Sequence, residues 1–157
     1  MRFTNMKIIS AALAATVVTA SCAGITDKHL QTMDNGNNTT DNVKTIYFAG
    51  GCFWGTEHFF KQIDGVVGTE VGYANSIVPD PTYKEVCSGR TMAAEGVKVE
   101  YDSSRVSLPA LIQLYFMTID PTSVNRQGND RGTQYRTGIY YTNDRQQHTA
   151  LAEIAKE

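Results

Sequence analysis

The chain has 157 residues and a formal net charge of −2, and 41% of its residues are hydrophobic, which is enough for one packed domain of ordinary size. Its 14 Lys and Arg are scattered along the chain, which argues against nucleic acid as a partner, because nucleic-acid-binding domains usually carry a basic patch. Three cysteines without a CxxC pair do not form a disulfide framework, and three histidines without ligand spacing do not form a zinc site. Each cysteine therefore needs an explanation of its own.

The N-terminus has the features of a secretory signal peptide. Arg2 and Lys7 precede an apolar run from Ile8 to Ala20, which is too short to span a bilayer as a helix and is followed by a small residue. We therefore expect residues 1–21 to be removed from the mature protein.

Cys22 follows directly, at a position that resembles the lipobox of bacterial lipoproteins, where the cysteine is lipidated after cleavage. The alternative is ordinary cleavage that leaves Cys22 as a free thiol. Residues 22–43 are rich in Thr, Asn, Asp and Gly, and so few apolar side chains cannot offset the entropy of ordering them. They predict a flexible, lipid-anchored tether, and the lipobox implies a bacterial envelope location.

Residues 44–157 predict one folded domain. Alternating or β-prone runs indicate four strands, at 44–49, 67–73, 97–101 and 138–142. Apolar periodicity and capping residues indicate a helix at 53–63, one helical turn at 83–87, a helix capped by Ser107 and a helix from about Arg145. The order βαββαβ is that of a ferredoxin-like α+β sandwich with extended loops. The last helix has no Gly or Pro to end it, so we expect both helix and protein to continue beyond Glu157.

The segment Gly50–Gly51–Cys52–Phe53–Trp54–Gly55 carries the strongest chemical signal. A strand leads into two glycines, and Cys52 follows at the first turn of a helix. Backbone N–H groups and the positive end of the helix dipole favour a thiolate there, which makes the thiol a nucleophile. From local chemistry alone, a nucleophilic Cys52 and a buried small apolar Cys52 are both open.

The segment resembles the active-site signature of peptide methionine sulfoxide reductase A, the family specific for the S epimer. The resemblance extends from about Thr45 to the end of the chain. Further motifs agree in order and spacing: Gly72–Tyr73, Pro81–Thr82–Tyr83, Val86–Cys87–Ser88–Gly89, Glu95 entering a strand, Asn125–Asp130 and Gly132–Arg136.

The resemblance implies that Cys52 attacks the sulfoxide sulfur, while Phe53 and Trp54 form the apolar pocket for the methyl group. Attack leaves a sulfenic acid on Cys52, which a thiol converts to a disulfide. The implied reductant is an external thiol such as thioredoxin, and neither a metal nor an organic cofactor is implied. Phe53 and Trp54 have a plainer alternative as core residues.

Four further residues have implied roles around the sulfoxide oxygen. Glu95 supplies or shares a proton, Tyr83 and Tyr135 donate hydrogen bonds, and Asp130 belongs to the surrounding polar network. An apolar neighbourhood would raise the pKa of Glu95 and keep it protonated. The plainer alternatives are a solvated Glu95 at a strand edge, loop tyrosines that pack their rings, and an Asx-turn Asp130.

The sequence departs from the family pattern in two places. Met92-Ala93-Ala94-Glu95 stands where the family usually has Gly-His-Ala-Glu, which predicts weaker catalysis. Many members also carry a resolving cysteine in a C-terminal tail that this chain lacks. Regeneration then falls to Cys87, to an outside thiol or to residues beyond this chain, and we expect the sequence to be part of a longer enzyme.

The resulting functional hypothesis is a lipid-anchored envelope enzyme that reduces methionine S-sulfoxide, free or in proteins, and so repairs oxidised proteins. Its partners would be oxidised peptides and a thioredoxin-like reductant. One alternative is a truncated module that binds oxidised methionine without turnover. Another is a peroxidase or hydrolase that uses Cys52, although neither His58 nor His148 is spaced to pair with that cysteine.

Overall fold

The computed structural model describes Phe3, residues 7–9 and residues 42–157. The predicted lipidation site, Cys22, and nearly all of the predicted tether lie outside the described residues. None of the helices in the described part of the chain is long and apolar enough to cross a membrane.

One five-stranded antiparallel sheet organises the domain. Its strands are β1 (Lys7–Ile9), β2 (Val43–Ala49), β3 (Val66–Ala74), β4 (Ala94–Asp102) and β7 (Gly138–Tyr141), in the spatial order β1-β7-β2-β4-β3. The helices are α1 (Phe53–Phe60), α2 (Tyr83–Cys87), α3 (Leu108–Phe116) and α4 (Asp144–Ile154). Helix α1 connects β2 to β3, and β4 lies between these two strands. Helix α3 connects β4 to β7, and β2 lies between those two. These split βαβ units confirm the predicted ferredoxin-like α+β fold.

Strand alternation decides which side chains enter the main core. Ile46 and Phe48 of β2 point to the same core as Val97 and Val99 of β4, and all four are fully buried. The intervening residues of each strand face the opposite side of the sheet, because successive side chains alternate. Helix α3 completes the core with four buried residues: Leu111, Ile112, Tyr115 and Phe116.

One helix boundary differs from the sequence prediction. Helix α1 ends at Phe60, and tight turns from Gln62 to Gly65 replace its predicted last turn, with Gly65 at φ +96°. Helix α4 extends from Asp144 to Ile154, three residues before Glu157, and its continuation beyond Glu157 stays a prediction. The amides of Lys156 and Glu157 donate to the carbonyls three residues earlier, which tightens the chain after the helix.

The predicted Ser107 cap of α3 is present, with Ser107 Oγ accepting from the Ala110 amide at 3.3 Å.

Three small features were not predicted. The polar loop before β7 contains a short hairpin, β5 (Arg126–Gln127) and β6 (Asp130–Arg131), and a 3₁₀ turn at Thr133–Tyr135. Strand β1 pairs residues 7–9 with β7, although these residues fall in the predicted signal peptide. Because β7 also pairs with β2 on its other side, the rest of the sheet does not depend on β1, and cleavage stays a prediction.

Tyr115 hydrogen-bonds to the end of β2, where the chain turns towards Cys52. Its fully buried hydroxyl donates to the Ala49 carbonyl at 2.7 Å and accepts from the Gly138 amide at 3.0 Å. The Tyr115 ring also stacks on Phe48, with ring centroids 4.9 Å apart. One side chain of α3 therefore holds together the ends of β2 and β7.

We expect Tyr115→Phe to lower the free energy of unfolding by about 1–3 kcal/mol, because a buried carbonyl and a buried amide both lose their partner. Urea unfolding followed by circular dichroism measures this change. Tyr101→Phe is the matched control, since Tyr101 is also a buried core residue, 4% exposed, and its hydroxyl bridges no pair of strand ends among the described residues. Equal losses in the two variants would contradict the bridging role.

Candidate active site

Cys52 lies where β2 ends and α1 begins. It is the N-cap residue of α1 (φ −60°, ψ 120°), one position before the first turn that the sequence predicted, and its side chain is half-buried. Gly51 reaches this position with φ +86°, and a Cβ there would meet Gln127 Cβ at 2.8 Å. Only glycine fits both constraints, so the glycine before Cys52 is required by the turn. The cysteine therefore stands at the positive end of a helix, as a stabilised thiolate requires.

Glu95 is the buried acid of the site. It lies on the core face of β4 and is 1% exposed, so the alternative of a solvated strand-edge residue is wrong. The Phe53 amide donates to Glu95 Oε2 at 3.0 Å, which joins the carboxyl to the residue next to Cys52. Burial raises the pKa of Glu95 above its ordinary 4.5, and the charge of Asp130 adds to the rise, while the Phe53 amide opposes it.

The two predicted pocket aromatics differ in exposure. Phe53 is buried, with its ring centroid 5.9 Å from that of Tyr73 and 5.4 Å from that of Trp54. Trp54 is 61% exposed and stacks against Tyr83, with centroids 6.2 Å apart. Trp54 is therefore not a core residue. Together the rings of Phe53, Trp54, Tyr73 and Tyr83 form a partly open aromatic wall beside the start of α1.

Three tyrosines surround the carboxyl. Tyr83 forms a hydrogen bond with Cys87, which raises the pKa of Tyr83 to about 12, and the charge of Glu95 contributes to the rise. Burial and then the charge of Glu95 raise the pKa of Tyr135, and the same two causes act in that order on Tyr73. All three hydroxyls therefore stay protonated at neutral pH.

The sequence prediction had quoted Tyr73 only as part of a motif. Tyr73 and Glu95 are directly paired residues of neighbouring strands, which places the ring beside the carboxyl. The sequence feature that could have identified Tyr73 as a site residue is its position at the end of a strand with alternating apolar residues.

Asp130 lies in the β5–β6 hairpin and is exposed. Its charge acts on both Glu95 and Tyr135, which places it in the polar surroundings of the site as predicted. The neighbouring Gln127 was missed, because a single polar residue in a polar loop carries no distinctive pattern. Its amide group bonds to the Asp120 backbone and to Ser123 Oγ at 2.8 Å, so that it braces this loop against Gly51.

Met92 marks the departure from the family pattern. It has φ +54°, a conformation that glycine adopts freely and that costs other residues about 1–2 kcal/mol. The Ala93 amide nevertheless bonds to Thr91 Oγ1 at 3.3 Å, and Ala94 pairs with Ala74, so β4 still delivers Glu95 to its buried position. The two replacements therefore leave the placement of the carboxyl intact.

Fold and site together define a class of protein: a ferredoxin-like α+β domain with a cysteine at a helix N-terminus beside a buried carboxylic acid and a cluster of tyrosines. Among the described residues, no group of three or more His, Cys, Asp or Glu is placed to hold a metal ion.

Comparisons with known proteins agree with this class. The family model described as peptide methionine sulfoxide reductase matches residues 44–157. A peptide methionine sulfoxide reductase MsrA of Mycoplasma pneumoniae is 61% identical over 99 residues, covering 63% of each chain. Methionine sulfoxide reductase A of Corynebacterium diphtheriae superimposes with a TM-score of 0.70 at 42% identity, covering 73% of this chain and 56% of that one. Reduced Mxr1 of Saccharomyces cerevisiae gives 0.67 at 40% identity, covering 74% of this chain and 68% of that one.

The chain belongs to the peptide methionine sulfoxide reductase family. It spans slightly less than two thirds of the length of the Mycoplasma relative and little more than half of the Corynebacterium chain.

The raised pKa of Glu95 predicts a pH dependence of stability. The unfolded chain ionises this carboxyl near 4.5, whereas the folded chain ionises it at higher pH. Glu95 therefore contributes a fall in the free energy of unfolding as the pH rises from 4.5 through the raised pKa. We expect Glu95→Gln to lack this fall, so that its stability relative to the unmodified chain increases with pH.

Urea unfolding of both proteins between about pH 4.5 and pH 8 measures the difference. Glu70→Gln, which changes a partly exposed carboxyl on β3, is the control for removing a carboxyl outside the buried site. A stability difference between Glu95→Gln and the unmodified chain that stays constant with pH would contradict the assigned cause.

Proposed function

We propose that the chain reduces methionine S-sulfoxide, free or within proteins, through attack of the Cys52 thiolate on the sulfoxide sulfur. The observation that carries the proposal is the hydrogen bond from the Phe53 amide to buried Glu95, which holds an acid next to the nucleophile. Membership of the family supports the same reaction.

Proton supply is the task of Glu95. A sulfoxide oxygen leaves only once it is protonated, so a general acid must lie within hydrogen-bond reach of it. Burial keeps a proton on Glu95 at a pH where an ordinary glutamate is charged. The hydroxyls of Tyr83 and Tyr135, both with a raised pKa, serve as hydrogen-bond donors to the same oxygen.

Substrate selection follows from the aromatic wall. The buried ring of Phe53 and the exposed ring of Trp54 offer apolar surface to the methyl group of the sulfoxide. Since Trp54 is 61% exposed, a methionine sulfoxide on a protein surface can reach it without entering a deep channel. This openness supports oxidised proteins as substrates.

Regeneration uses thiols. Cys52 as sulfenic acid and a thiol give a disulfide and water, and a second thiol then releases reduced Cys52. The proposed reductant is an external dithiol such as a thioredoxin-like protein. Cys87 is exposed and hydrogen-bonded to Tyr83. It is the alternative to the external reductant as the thiol that reacts with the sulfenic acid.

The rival functions have less support. A Cys-His hydrolase needs an imidazole oriented against the nucleophile, whereas His58 and His148 are both exposed residues, on α1 and α4. A module that binds oxidised methionine without turnover would not need a protonated acid beside its cysteine. Neither rival accounts for Glu95.

The 157-residue chain should turn over a methionine-S-sulfoxide peptide repeatedly with excess dithiothreitol, and should leave the R epimer unchanged. Cys52→Ser should abolish turnover, because a hydroxyl at this position is a far weaker nucleophile than a thiolate. Chromatography of the peptide products measures both. Turnover by Cys52→Ser would contradict the proposal, and binding without turnover by the unmodified chain would establish the binding module instead.

The proposed location is the bacterial envelope, with residues 1–21 as a signal peptide and Cys22 as a lipidated N-terminus. Expression of the chain in a bacterium with labelled palmitate should place label on the protein and the protein in the membrane fraction. Cys22→Ser should lose both, because a single acylated cysteine is the proposed anchor. An unmodified chain that takes up no label, or a Cys22→Ser chain that keeps its label, would contradict lipidation of Cys22.

A further inference from the structure

A cleft of about 320 Å³ borders Cys52, and no ring of the aromatic wall lines it. One wall is formed by α1 and the turn before it, and the other by the end of α3 and the β5–β6 hairpin. Its lining includes Cys52, Gly55, Phe59, Thr118, Gln127 and Asp130. Trp54, Tyr83, Glu95 and Tyr135 are not part of it.

Helix geometry separates the two sides of α1. Each residue of an α-helix advances about 100° around the axis, so Gly55 and Phe59, which line the cleft, lie within about 40° of each other. Trp54 and Phe53 lie about 100° and 160° from Gly55 on the same axis. The cysteine is therefore open to two spaces, one bounded by the aromatic residues and one formed by the cleft.

The cleft offers no proton donor suited to a sulfoxide oxygen among its described side chains. The Thr56 hydroxyl is within 3.2 Å of the carbonyl oxygens of Gly50 and Cys52, to which it donates. Thr118 Oγ1 donates to the Tyr115 carbonyl at 2.7 Å, and the Gln127 amide is occupied by the loop that it braces. Asp130 lines the cleft and also acts on Glu95 and Tyr135, whereas Glu95, Tyr83 and Tyr135, the groups proposed to act on the sulfoxide oxygen, do not line it.

The direction of the second chemical step gives the cleft a use. After sulfoxide reduction, the oxygen on Cys52 sulfur remains on the side where Glu95 and the tyrosines received it. Displacement at sulfur is in line, so the incoming thiolate approaches opposite to the S–O bond that breaks. Of the two spaces beside Cys52, the cleft is the one that Glu95, Tyr83 and Tyr135 do not line.

On the basis of the function proposed above, we propose that the cleft beside Cys52 admits the thiol that reduces the Cys52 sulfenic acid. The thiolate electron pair forms the new S–S bond, and the S–O bond breaks with its electron pair on oxygen. The oxygen takes the thiol's proton and leaves as water, so the incoming sulfur is oxidised and the Cys52 sulfur is reduced. A second thiol of the same reductant then displaces Cys52 as a thiolate.

Glycine makes the cleft accessible. A Cβ built on Gly55 meets no atom within 4 Å, so a larger side chain at this position would project into open space. The volume lies at the lower end of the range for small-molecule sites, about 300–1,000 Å³, which suits a small dithiol or a single cysteine on a protein loop.

The test uses the full chain with Cys22→Ser and Cys87→Ser, so that Cys52 is its only thiol. Gly55→Leu fills the cleft, and His58→Leu places the same side chain on an exposed position of α1 that does not line it. Two rates are measured separately. The first is methionine formation in a single turnover without reductant, and the second is loss of the Cys52 sulfenic acid on addition of dithiothreitol or of thioredoxin.

Gly55→Leu should leave the first rate within about two-fold and slow the second by about ten-fold or more, whereas His58→Leu should change neither. Slowing with both thiols indicates a shared route, and slowing with thioredoxin alone indicates a route for a protein cysteine; both support the proposal. Equal slowing of both rates would show that the cleft holds part of the sulfoxide substrate, and no slowing would show that thiols enter elsewhere. Either result overturns the proposal.

Gly55→Ala adds one carbon to the same space and should slow only the second rate, by a smaller factor, which keeps the test available if Gly55→Leu fails to fold. A single turnover that forms no methionine in the Cys22→Ser, Cys87→Ser chain would instead count against the proposed reductase function.

Discussion

The hydrogen bond from the Phe53 amide to Glu95 Oε2 is the contact on which the site depends. It joins the central strand β4 to the first turn of α1, and it uses one of the amides that a helix N-terminus leaves unpaired. A buried carboxyl without such a donor is costly, and a carboxyl with several donors would be held charged. The single amide donor gives one carboxyl oxygen of Glu95 a hydrogen-bond partner. Because the side chain is almost completely buried, its pKa is still raised.

The supports around this bond come from distant parts of the chain. Tyr115 of α3 fixes the end of β2, so that Gly50 and Gly51 start from a defined position. Gln127 packs on Gly51 from the other side and is held in turn by its own loop. Cys52 is therefore positioned by the sheet, by α3 and by the hairpin loop, although only the two glycines precede it in sequence.

Local patterns predicted the parts of the structure that depend on neighbouring residues. Alternation gave the strands within a few residues of their ends, and the Ser107 cap gave the start of α3. The site residues came from family motifs, which named Glu95 without indicating that it is buried among Val97 and Val99 on the core face. The β5–β6 hairpin and Gln127 depend on packing against Gly51, a contact between distant segments that no local pattern reports. At Met92 the sequence shows only that the glycine usual in the family is replaced, and it does not show that this residue has a positive φ.

The proposed reaction makes opposite demands on the two sides of Cys52. Sulfoxide reduction needs a protonated acid and hydrogen-bond donors, since the oxygen must become a leaving group. Regeneration needs an open path to sulfur, because a thiolate requires access rather than an acid. A cysteine in the middle of a helix would be enclosed by neighbouring turns, whereas an N-cap cysteine preceded by two glycines is open on two sides. The Gly-Gly-Cys sequence at a strand–helix junction therefore serves both steps: it brings Cys52 beside the carboxyl fixed by Phe53 and leaves the opposite face of sulfur accessible.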